Sequence, residues 1–566
     1  MVTATLEEAR RILGRYFGYA DFRPVQLPAV QAVLSRRDAV IVLPTGGGKS
    51  VCFQVPALLF ERLTVVVSPL ISLMSDQVAA LEKKGIAATF LNSTLSPDEA
   101  AARVARIRSG NVRLLYLAPE RLTTGATSSL LGAVGVDLLA IDEAHCVSEW
   151  GQDFRPSYLR LAELRRLIGD PQAIAFTATA TPRVRGDIAR LLALRNPITV
   201  IGGFDRPNLS FHVHNVKGHP DRNAATVEQL RGSPDPSVVY AATRRQVDQV
   251  VRLLTSSRVP AVGYHAGMSA DRRARTQSAF MSGATRVMVA TNAFGMGIDK
   301  PDVRLVLHYM HSGSLEDYYQ EAGRAGRDGA TARCVLLFHA SDRGVHDRMR
   351  QSSHVEPGLL RAVWEHLSAG SLGRRAVPVD PVRIAARLGR SQDPGRVSVA
   401  IRLLQERGAL PAPTPVDRVR VRLLASPLRL ACERGQLSRD ANALLGHIIA
   451  AQDPGQLWVS LDARSLGMSQ FAFDVASTEL VAGQLALVEQ PVARLVVAAG
   501  PAAKRGVDRV IRELERRHEV DRAKLASMVC YAMARTCRRR FILSYFGERL
   551  PGTEPCGRCD VCSPRS

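Results

Sequence analysis

Short apolar runs alternate with stretches of helical periodicity up to about residue 345. Continuous apolar runs of this length favour strands that are buried on both faces, as in a parallel sheet covered by helices. The first series of runs is Ala39–Val42, Leu63–Val67, Arg113–Tyr116, Asp137–Ile141 and Ala173–Phe176. The second series is Ser237–Tyr240, Ala261–Tyr264, Arg286–Ala290 and Arg304–His308. The pattern pauses near Ile201-Gly202-Gly203, so it predicts two tandem α/β domains, at 1–203 and 204–345.

Residues 346–503 show a different pattern, which predicts a mainly helical insertion. Three helical stretches followed by an extended segment occur there twice, at 358–368, 380–389, 395–408 and 418–423, and again at 440–451, 461–467, 471–483 and 492–497. Such a series is typical of the winged helix, a helix-turn-helix derivative often used on DNA. Two small helical packing domains are the alternative. Residues 504–566 predict a basic helical module that ends in cysteines.

The charge balance favours a polyanionic partner. The chain has 75 basic and 53 acidic residues, a formal net charge of +22, and such a surface attracts nucleic acid. Only seven of the basic residues are lysine, a skew that we attribute to a GC-rich genome. The excess of basic over acidic residues does not follow from that bias.

One glycine-rich segment, Pro44-Thr45-Gly46-Gly47-Gly48-Lys49-Ser50, directly follows the first apolar run. Glycines let several backbone N–H groups surround a phosphate at the head of a helix. We expect Lys49 to reach the β- and γ-phosphates of ATP and the Ser50 hydroxyl to bind Mg²⁺. Leu43 occupies the place of the first glycine of the general pattern. A flexible linker is the alternative, but linkers do not usually follow a buried strand and end in Lys-Ser.

An acidic motif, Asp142-Glu143-Ala144-His145, follows a second apolar run. An acid at a strand end near Mg²⁺ completes the metal site, and a second acid can orient the attacking water. Asp142 suits the first role and Glu143 the second. A solvated acidic turn is the alternative.

The second α/β domain contains a segment rich in glycine and arginine, Gln320-Glu321-Ala322-Gly323-Arg324-Ala325-Gly326-Arg327. Two arginines three residues apart lie on one side of a helix or tight turn. Across a cleft from the phosphate loop, Arg324 and Arg327 can act as arginine fingers on transition-state charge. We include Gln320 with them as catalytic; a surface charge cluster is the alternative.

Two overlapping C-x-x-C pairs, formed by Cys556, Cys559 and Cys562, lie near the end of the chain. A tetrahedral structural metal site needs a fourth ligand, for which Cys537 is the first candidate and Cys530 the second. Zinc and an iron–sulfur cluster can both use four thiolates. The site is expected to be structural, because four sulfurs leave no open position for chemistry.

The order of these motifs resembles that of superfamily 2 helicases and, more narrowly, of the RecQ family. The resemblance covers about 1–345 and 510–562. Besides the motifs above, it is carried by Phe17-Gly18-Tyr19, Phe22-Arg23-Pro24, Gln26, Ser68–Met74, the aromatic-rich segment Cys146–Pro156, Thr177–Ala180, Tyr264–Met268, Ala293–Lys300, Cys537-Arg538-Arg539 and Ser544–Glu548.

The resemblance implies two RecA-like domains and a zinc-binding helical module, and it favours zinc as the metal. It implies that Tyr19, Arg23 and Gln26 hold the adenine, Tyr19 by stacking and Gln26 by reading its edge. Asp299 joins this nucleotide-binding set.

The same resemblance implies that Trp150 and Phe154, with Arg155 in the same loop, sense single-stranded DNA and couple it to ATP hydrolysis. Aromatic faces stack bases at ~1–3 kcal/mol each, whatever the sequence. Gln152 stands where the family more often has histidine, and residues 346–503 intervene before the zinc module.

The function implied is an ATP-dependent DNA helicase that moves 3′-to-5′ on single-stranded DNA and unwinds tailed duplexes in repair or recombination. ATP, Mg²⁺ and Zn²⁺ are the expected cofactors. An RNA helicase and an ATP-switched DNA-binding or annealing protein are the alternatives. With no signal-peptide core and no run of ~20 apolar residues, we expect a cytoplasmic monomer without membrane partners, nucleoid-associated if bacterial.

Overall fold

The apolar runs of the first α/β domain form the strands of one parallel sheet. The computed structural model of the chain describes residues 5–563 except 45, 93, 124, 232–233, 295–299, 354, 371–376, 390–392, 412–417, 453–458, 463–464, 469, 490–493, 496–500, 551 and 553. The chain divides into two compact units, Met1–Asp347 with His518–Ser566, and Arg348–Arg517.

The first sheet has seven strands, all of whose pairs are parallel, in the order β3-β4-β2-β5-β6-β1-β7. Its strands are β1 Ala39–Val42, β2 Leu63–Val67, β3 Ala88–Leu91, β4 Leu114–Leu117, β5 Val136–Ile141, β6 Gln172–Thr177 and β7 Ile198–Ile201. Its helices are α1 Leu6–Ile12, α2 Leu27–Leu34, α3 Val51–Ala57, α4 Ile71–Glu82, α5 Pro97–Arg108, α6 Gly125–Val134, α7 Leu161–Leu167 and α8 Pro182–Leu191. The predicted parallel sheet is confirmed, and the five predicted runs are β1, β2, β4, β5 and β6.

The second sheet has six parallel strands in the order β10-β11-β9-β12-β13-β8. Its strands are β8 Leu209–Asn215, β9 Ser237–Tyr240, β10 Ala261–Tyr264, β11 Val287–Ala290, β12 Leu305–His308 and β13 Ala332–Phe338. Its helices are α9 His219–Arg231, α10 Arg244–Ser256, α11 Ala270–Met281 and α12 Leu315–Ala322, and α13 Asp342–Ser353 follows the last strand. Two tandem RecA-like domains are therefore confirmed as the core of this unit.

The other unit is mainly helical. Its helices are α14 Pro357–Gly370, α15 Pro381–Leu388, α16 Pro394–Glu406, α17 Pro427–Glu433, α18 Arg439–Ala450 and α19 Gln470–Ala482. Its strands are β14 Val377–Pro378, β15 Arg418–Leu423, β16 Val459–Asp462, β17 Ala486–Glu489 and β18 Arg494–Leu495. Five of the six helical stretches predicted there are α14, α15, α16, α18 and α19.

The sixth prediction, a helix over 461–467, is wrong. Residues Val459–Asp462 form a strand, because apolar and polar residues alternate and Val459 and Leu461 are buried. The strands of the two sequence copies also pair with each other, instead of forming a separate sheet within each copy. β15, which ends the first copy, is the centre of the sheet β16-β15-β17, and β18 pairs with β14.

The C-terminal module consists of the long helix α20 Pro501–Met533, of which residues 518–533 belong to the first unit, the helix α21 Arg538–Tyr545, and the cysteine segment. The module packs on the edge strand β8, where the Asp560 N–H donates to the Phe211 carbonyl at 3.2 Å. In the part of the chain that the structure describes, no helix is both long and apolar enough to cross a membrane.

Candidate functional site

The phosphate loop connects β1 to α3 in a conformation that requires glycine. Gly46 and Gly48 have φ angles of 80° and 77°, in the left-handed region that favours glycine. A Cβ on Gly48 would also lie 2.2 Å from the Gln26 side-chain nitrogen. Thr45 of the predicted set lies outside the described residues. The loop therefore holds its backbone close to neighbouring groups, as a phosphate site must.

Two of the three residues predicted to hold adenine, Arg23 and Gln26, lie beside this loop. Arg23 Nη1 donates to the Gly46 carbonyl at 2.7 Å, and Gln26 Nε2 donates to the carbonyls of Gly47 and Gly48 at 3.1 and 3.2 Å. The Tyr19 ring is 56% exposed and open for stacking. The structure thus brings Arg23 and Gln26 to the loop, whereas the contacts of all three residues with adenine stay a prediction.

The acidic motif begins where β5 ends. Asp142 and Ser50, the two residues predicted to bind Mg²⁺, line one small cavity. Burial raises the pKa of Asp142 above its ordinary value, the Glu143 carboxylate adds to the rise, and Lys49 opposes it. A cation placed between these oxygens would reverse that shift, because it favours the ionised carboxylate.

Glu143 has a left-handed backbone, with a φ of 46°, a conformation that costs energy for a residue with a side chain. Its Oε2 lies 3.3 Å from His145 Nδ1, which also contacts Thr177 Oγ1 at 2.9 Å. Burial lowers the pKa of His145 to about 3, so the ring is neutral near pH 7. The acidic motif is therefore tied to the next strand of the sheet.

The two arginines of the second domain lie just after α12. A Cβ on Gly46 would lie 3.5 Å from Arg327 Cγ, so the Arg327 side chain lies next to the phosphate loop of the first domain. Arg324 is 7% exposed, and its Nε has no hydrogen-bond partner among the described residues. A buried guanidinium N–H without a partner is costly and suits an anionic ligand. Asp299 lies outside the described residues.

The aromatic-rich loop follows the acidic motif in the first domain. The guanidinium carbon of Arg183, at the start of α8, lies 3.4 Å from the centre of the Trp150 ring. Phe154 is buried, and Arg155 Nη1 donates to the Pro69 carbonyl at 2.9 Å. Trp150 thus has one face covered by a cation, while Phe154 anchors the loop.

Gln152 joins this loop to the second domain. Its Nε2 donates to Asp317 Oδ1 at 2.8 Å and to Gln320 Oε1 at 2.6 Å. Its Oε1 accepts a hydrogen bond from the Thr179 hydroxyl at 3.3 Å. Burial raises the pKa of Asp317 to about 7. The Gln152 side chain therefore contacts both RecA-like domains. Its partner Gln320 in the second domain belongs to the predicted catalytic set.

The four cysteines of the terminal cluster lie together. The sulfur atoms of Cys537, Cys556, Cys559 and Cys562 all lie within 4.8 Å of one another. Ligands about 2.3 Å from a tetrahedral zinc ion would be about 3.8 Å apart, so this set fits zinc. Cys530, the second candidate for the fourth ligand, is exposed and is not in the group.

Three family models match the chain. The DEAD/DEAH box helicase model matches residues 23–187, the helicase conserved C-terminal domain matches 222–329, and the RecQ zinc-binding model matches 503–563. The last match distinguishes zinc from the iron–sulfur alternative. Residues 330–502, which include nearly all of the insertion, are the longest segment outside these three matches.

Curated relatives show which helicase family the chain resembles. The chain is 36% identical over 354 residues to the probable ATP-dependent DNA helicase RecS of Bacillus subtilis, covering 62% of this chain and 71% of that protein. The chain belongs to the RecQ helicase family. It is also 46% identical over 354 residues to the ATP-dependent DNA helicase RecQ of the same organism, covering 62% of this chain and 60% of that protein. The chain spans 53% to 60% of the length of four of the curated relatives that it matches.

Solved structures agree on the fold. The DUF1998 helicase MrfA bound to DNA is 19% identical with a TM-score of 0.51, covering 72% of this chain and 61% of that one. The DEAD-box helicase Mss116 bound to single-stranded RNA is also 19% identical with a TM-score of 0.51, covering 60% and 75%. At this identity the likeness concerns the RecA-like fold alone.

Two residues at the RecQ aromatic-rich loop are absent from the sequence-based set. One is Arg183, which covers Trp150. The other is Lys524 of α20, which is 7% exposed and whose Nζ donates to the Gly151 carbonyl. The partner of Lys524 is a backbone atom 373 residues away, so no local pattern indicates it. The only indication in the sequence is that Lys524 lies among the apolar residues of a helical pattern.

Proposed function

We propose that this chain is an ATP-dependent DNA helicase. The observation that carries the proposal is the position of Arg327, from the second domain, next to Gly46 of the phosphate loop of the first. A phosphate loop on one domain and an arginine on the other make ATP hydrolysis depend on how the cleft between them closes. Cleft motion driven in this way is the basis of movement along a strand.

Residues of both domains would take part in hydrolysis. Lys49 would contact the β- and γ-phosphates, and Ser50 and Asp142 would hold Mg²⁺, which neutralises phosphate charge when bound. Glu143 would orient the attacking water, while Arg324 and Arg327 would stabilise charge on the transferred phosphoryl group. Gln320 lies at the same cleft and contacts Gln152 of the DNA-coupling loop. Tyr19, Arg23 and Gln26 would hold the base.

DNA is the proposed partner, as single strands and tailed duplexes. The relatives that support this choice are named DNA helicases, so an RNA helicase is less favoured. We extend the proposal to 3′-to-5′ movement and to a role in repair or recombination. Because one chain supplies both the phosphate loop and the arginines, we propose a working monomer. Four thiolates need reducing conditions, which favours the cytoplasm, near the nucleoid in a bacterium.

The test is the unwinding of labelled duplexes with either a 3′ or a 5′ single-stranded tail, in ATP and Mg²⁺. We expect the 3′-tailed duplex alone to open, and Lys49→Ala to abolish opening. Lys83→Ala is the matched control, because Lys83 is an exposed lysine outside the site. Opening of the 5′-tailed duplex would overturn the polarity.

Two other results would favour the alternatives. If single strands stimulate ATPase but neither duplex opens, the protein is a translocase or an ATP-switched binding or annealing protein. If a duplex with an RNA tail opens and its DNA counterpart does not, the protein is an RNA helicase.

A further inference from the structure

One residue of the connection between the two RecA-like domains contacts the finger segment, Gly323–Arg327, which carries the two proposed arginine fingers. Arg206 lies between β7 and β8, and it donates from Nη1 to the Gly323 carbonyl at 3.2 Å. Its Nη2 donates to the carbonyls of Ala325 and Gly326 at 2.9 and 3.0 Å. These carbonyls follow the end of α12, where a cation is favourable. Arg206 therefore holds the backbone on both sides of Arg324 and directly before Arg327.

A neighbouring side chain holds the same segment. Asn208 Nδ2 donates to the carbonyls of Gly326 and Ala330 at 2.8 and 2.9 Å. Gly326 has a left-handed φ of 55°, and a Cβ on it would lie 2.4 Å from that nitrogen. The segment therefore packs so closely against the connection that it can take few other positions.

We propose that Arg206 is a positioning residue that sets where Arg324 and Arg327 meet the phosphate loop. The inference rests on the proposed function, because it needs these two arginines to act as fingers. Arginine suits the task, since its planar fork directs several N–H groups at separate acceptors, whereas lysine is a single point charge. Small displacements of a positioned group can lower turnover by ~100-fold.

The zinc module contacts the residues of the connection that lie next to Arg206 in the sequence. The Phe204 ring stacks on Phe546 with centroids 4.5 Å apart, and the Phe204 N–H donates to Glu548 Oε2 at 2.5 Å. Asp205 forms an ion pair with Arg539, and Arg558 donates to the Pro207 carbonyl at 2.8 Å. The residues on either side of Arg206 are thus fixed to the module, which leaves its guanidinium directed at the finger segment.

The test is steady-state ATP hydrolysis by the full chain with saturating single-stranded DNA. We expect Arg206→Ala to lower kcat roughly 10- to 100-fold while the KM for ATP, the affinity for single-stranded DNA and the zinc content stay within about twofold. Arg206→Lys should recover only part of the turnover. Arg252→Ala is the matched control, an exposed arginine on α10 of the same domain.

The outcomes separate this inference from the proposed function. If the wild-type chain hydrolyses no ATP, the proposed function fails first. If the wild-type chain is active and both Arg206 variants keep their kcat, only the role of Arg206 is wrong. If Arg206→Ala loses zinc or DNA binding, its lower kcat cannot be assigned to positioning, and the result with Arg206→Lys is used instead. A fall in kcat alone then supports positioning, and a parallel loss of kcat, DNA binding and zinc in that variant overturns it.

Discussion

The side-chain amide nitrogen of Gln152 lies 2.6 Å from the amide oxygen of Gln320, so the aromatic-rich loop of one RecA-like domain is hydrogen-bonded to α12 of the other. Gln152 also contacts Thr179 in its own domain, and the neighbouring Gly151 carbonyl accepts from Lys524 of the zinc module. Three parts of the molecule therefore meet at two adjacent residues. Under the proposed function, we expect a DNA strand that moves this loop to shift Gln320 and Asp317, the partners of Gln152.

The cation over Trp150 provides a first prediction. A base that stacks on the covered face must displace the Arg183 guanidinium, which costs about 0.5–1 kcal/mol at an exposed site. We expect Arg183→Ala to lower the concentration of single-stranded DNA that half-saturates ATPase, by roughly two- to fivefold. Arg190→Ala on the same helix is the control. A higher half-saturating concentration would mean that Arg183 itself binds DNA.

Lys524 provides a second prediction, which concerns the function of the aromatic-rich loop and not the stability of the fold. Lys524→Met keeps the length of the side chain but removes the charged donor to Gly151, a bond worth about 1.5–3 kcal/mol. We expect stimulation of ATPase by single-stranded DNA to fall roughly tenfold while the basal rate and zinc content are kept. Arg522→Met, an exposed site on α20, is the control. Unchanged stimulation in a zinc-loaded variant would contradict the role.

Buried apolar runs were predictable because burial on both faces leaves a continuous signal. The buried strands β1, β2 and β9 match their predicted bounds, and so does the half-buried edge strand β10. Two other edge strands were not predicted: β7 is partly exposed, and β8 alternates buried and half-buried residues. A strand with such a burial pattern lacks a continuous apolar run, so its sequence resembles that of a loop.

The candidate site divides in the same way. Lys49, Asp142 and Arg327 were predictable because each belongs to a contiguous motif whose chemistry is local. Arg206 and Lys524 act on backbone carbonyls of distant segments, and any residue type supplies such a carbonyl. Contacts of that kind leave no pattern in the partner sequence, so they became visible only in the fold.

The cysteine cluster provides a third prediction. Cys537→Ser should abolish stoichiometric zinc binding, because the remaining three thiolates leave the tetrahedral site incomplete. Cys530→Ser should keep one zinc, since Cys530 is outside the group. Zinc content by atomic absorption is the measurement. Iron with visible absorbance in the purified protein would contradict the zinc assignment.

His145 provides a prediction on pH. Its folded pKa of about 3 lies below the unfolded value of about 6.5, so the unfolded chain binds the extra proton between these values. The stability that the neutral ring contributes is complete above pH 6.5 and is lost as the pH falls below it.

The measurement is urea unfolding at pH 7.5 and 5.5. We expect the wild type to lose about 1.4 kcal/mol more than His145→Gln over that interval. Equal losses in both proteins would show that His145 is not the group responsible.

The most direct test of the coupling between DNA and the ATP cleft is the ATP turnover of Gln152→Ala, titrated with single-stranded DNA. We predict that DNA binding and the basal rate are kept, while stimulation falls roughly tenfold, because the variant loses the bonds to Gln320 and Asp317. Gln31→Ala, an exposed glutamine on α2, should behave as wild type. Full stimulation of Gln152→Ala by single-stranded DNA would contradict the account.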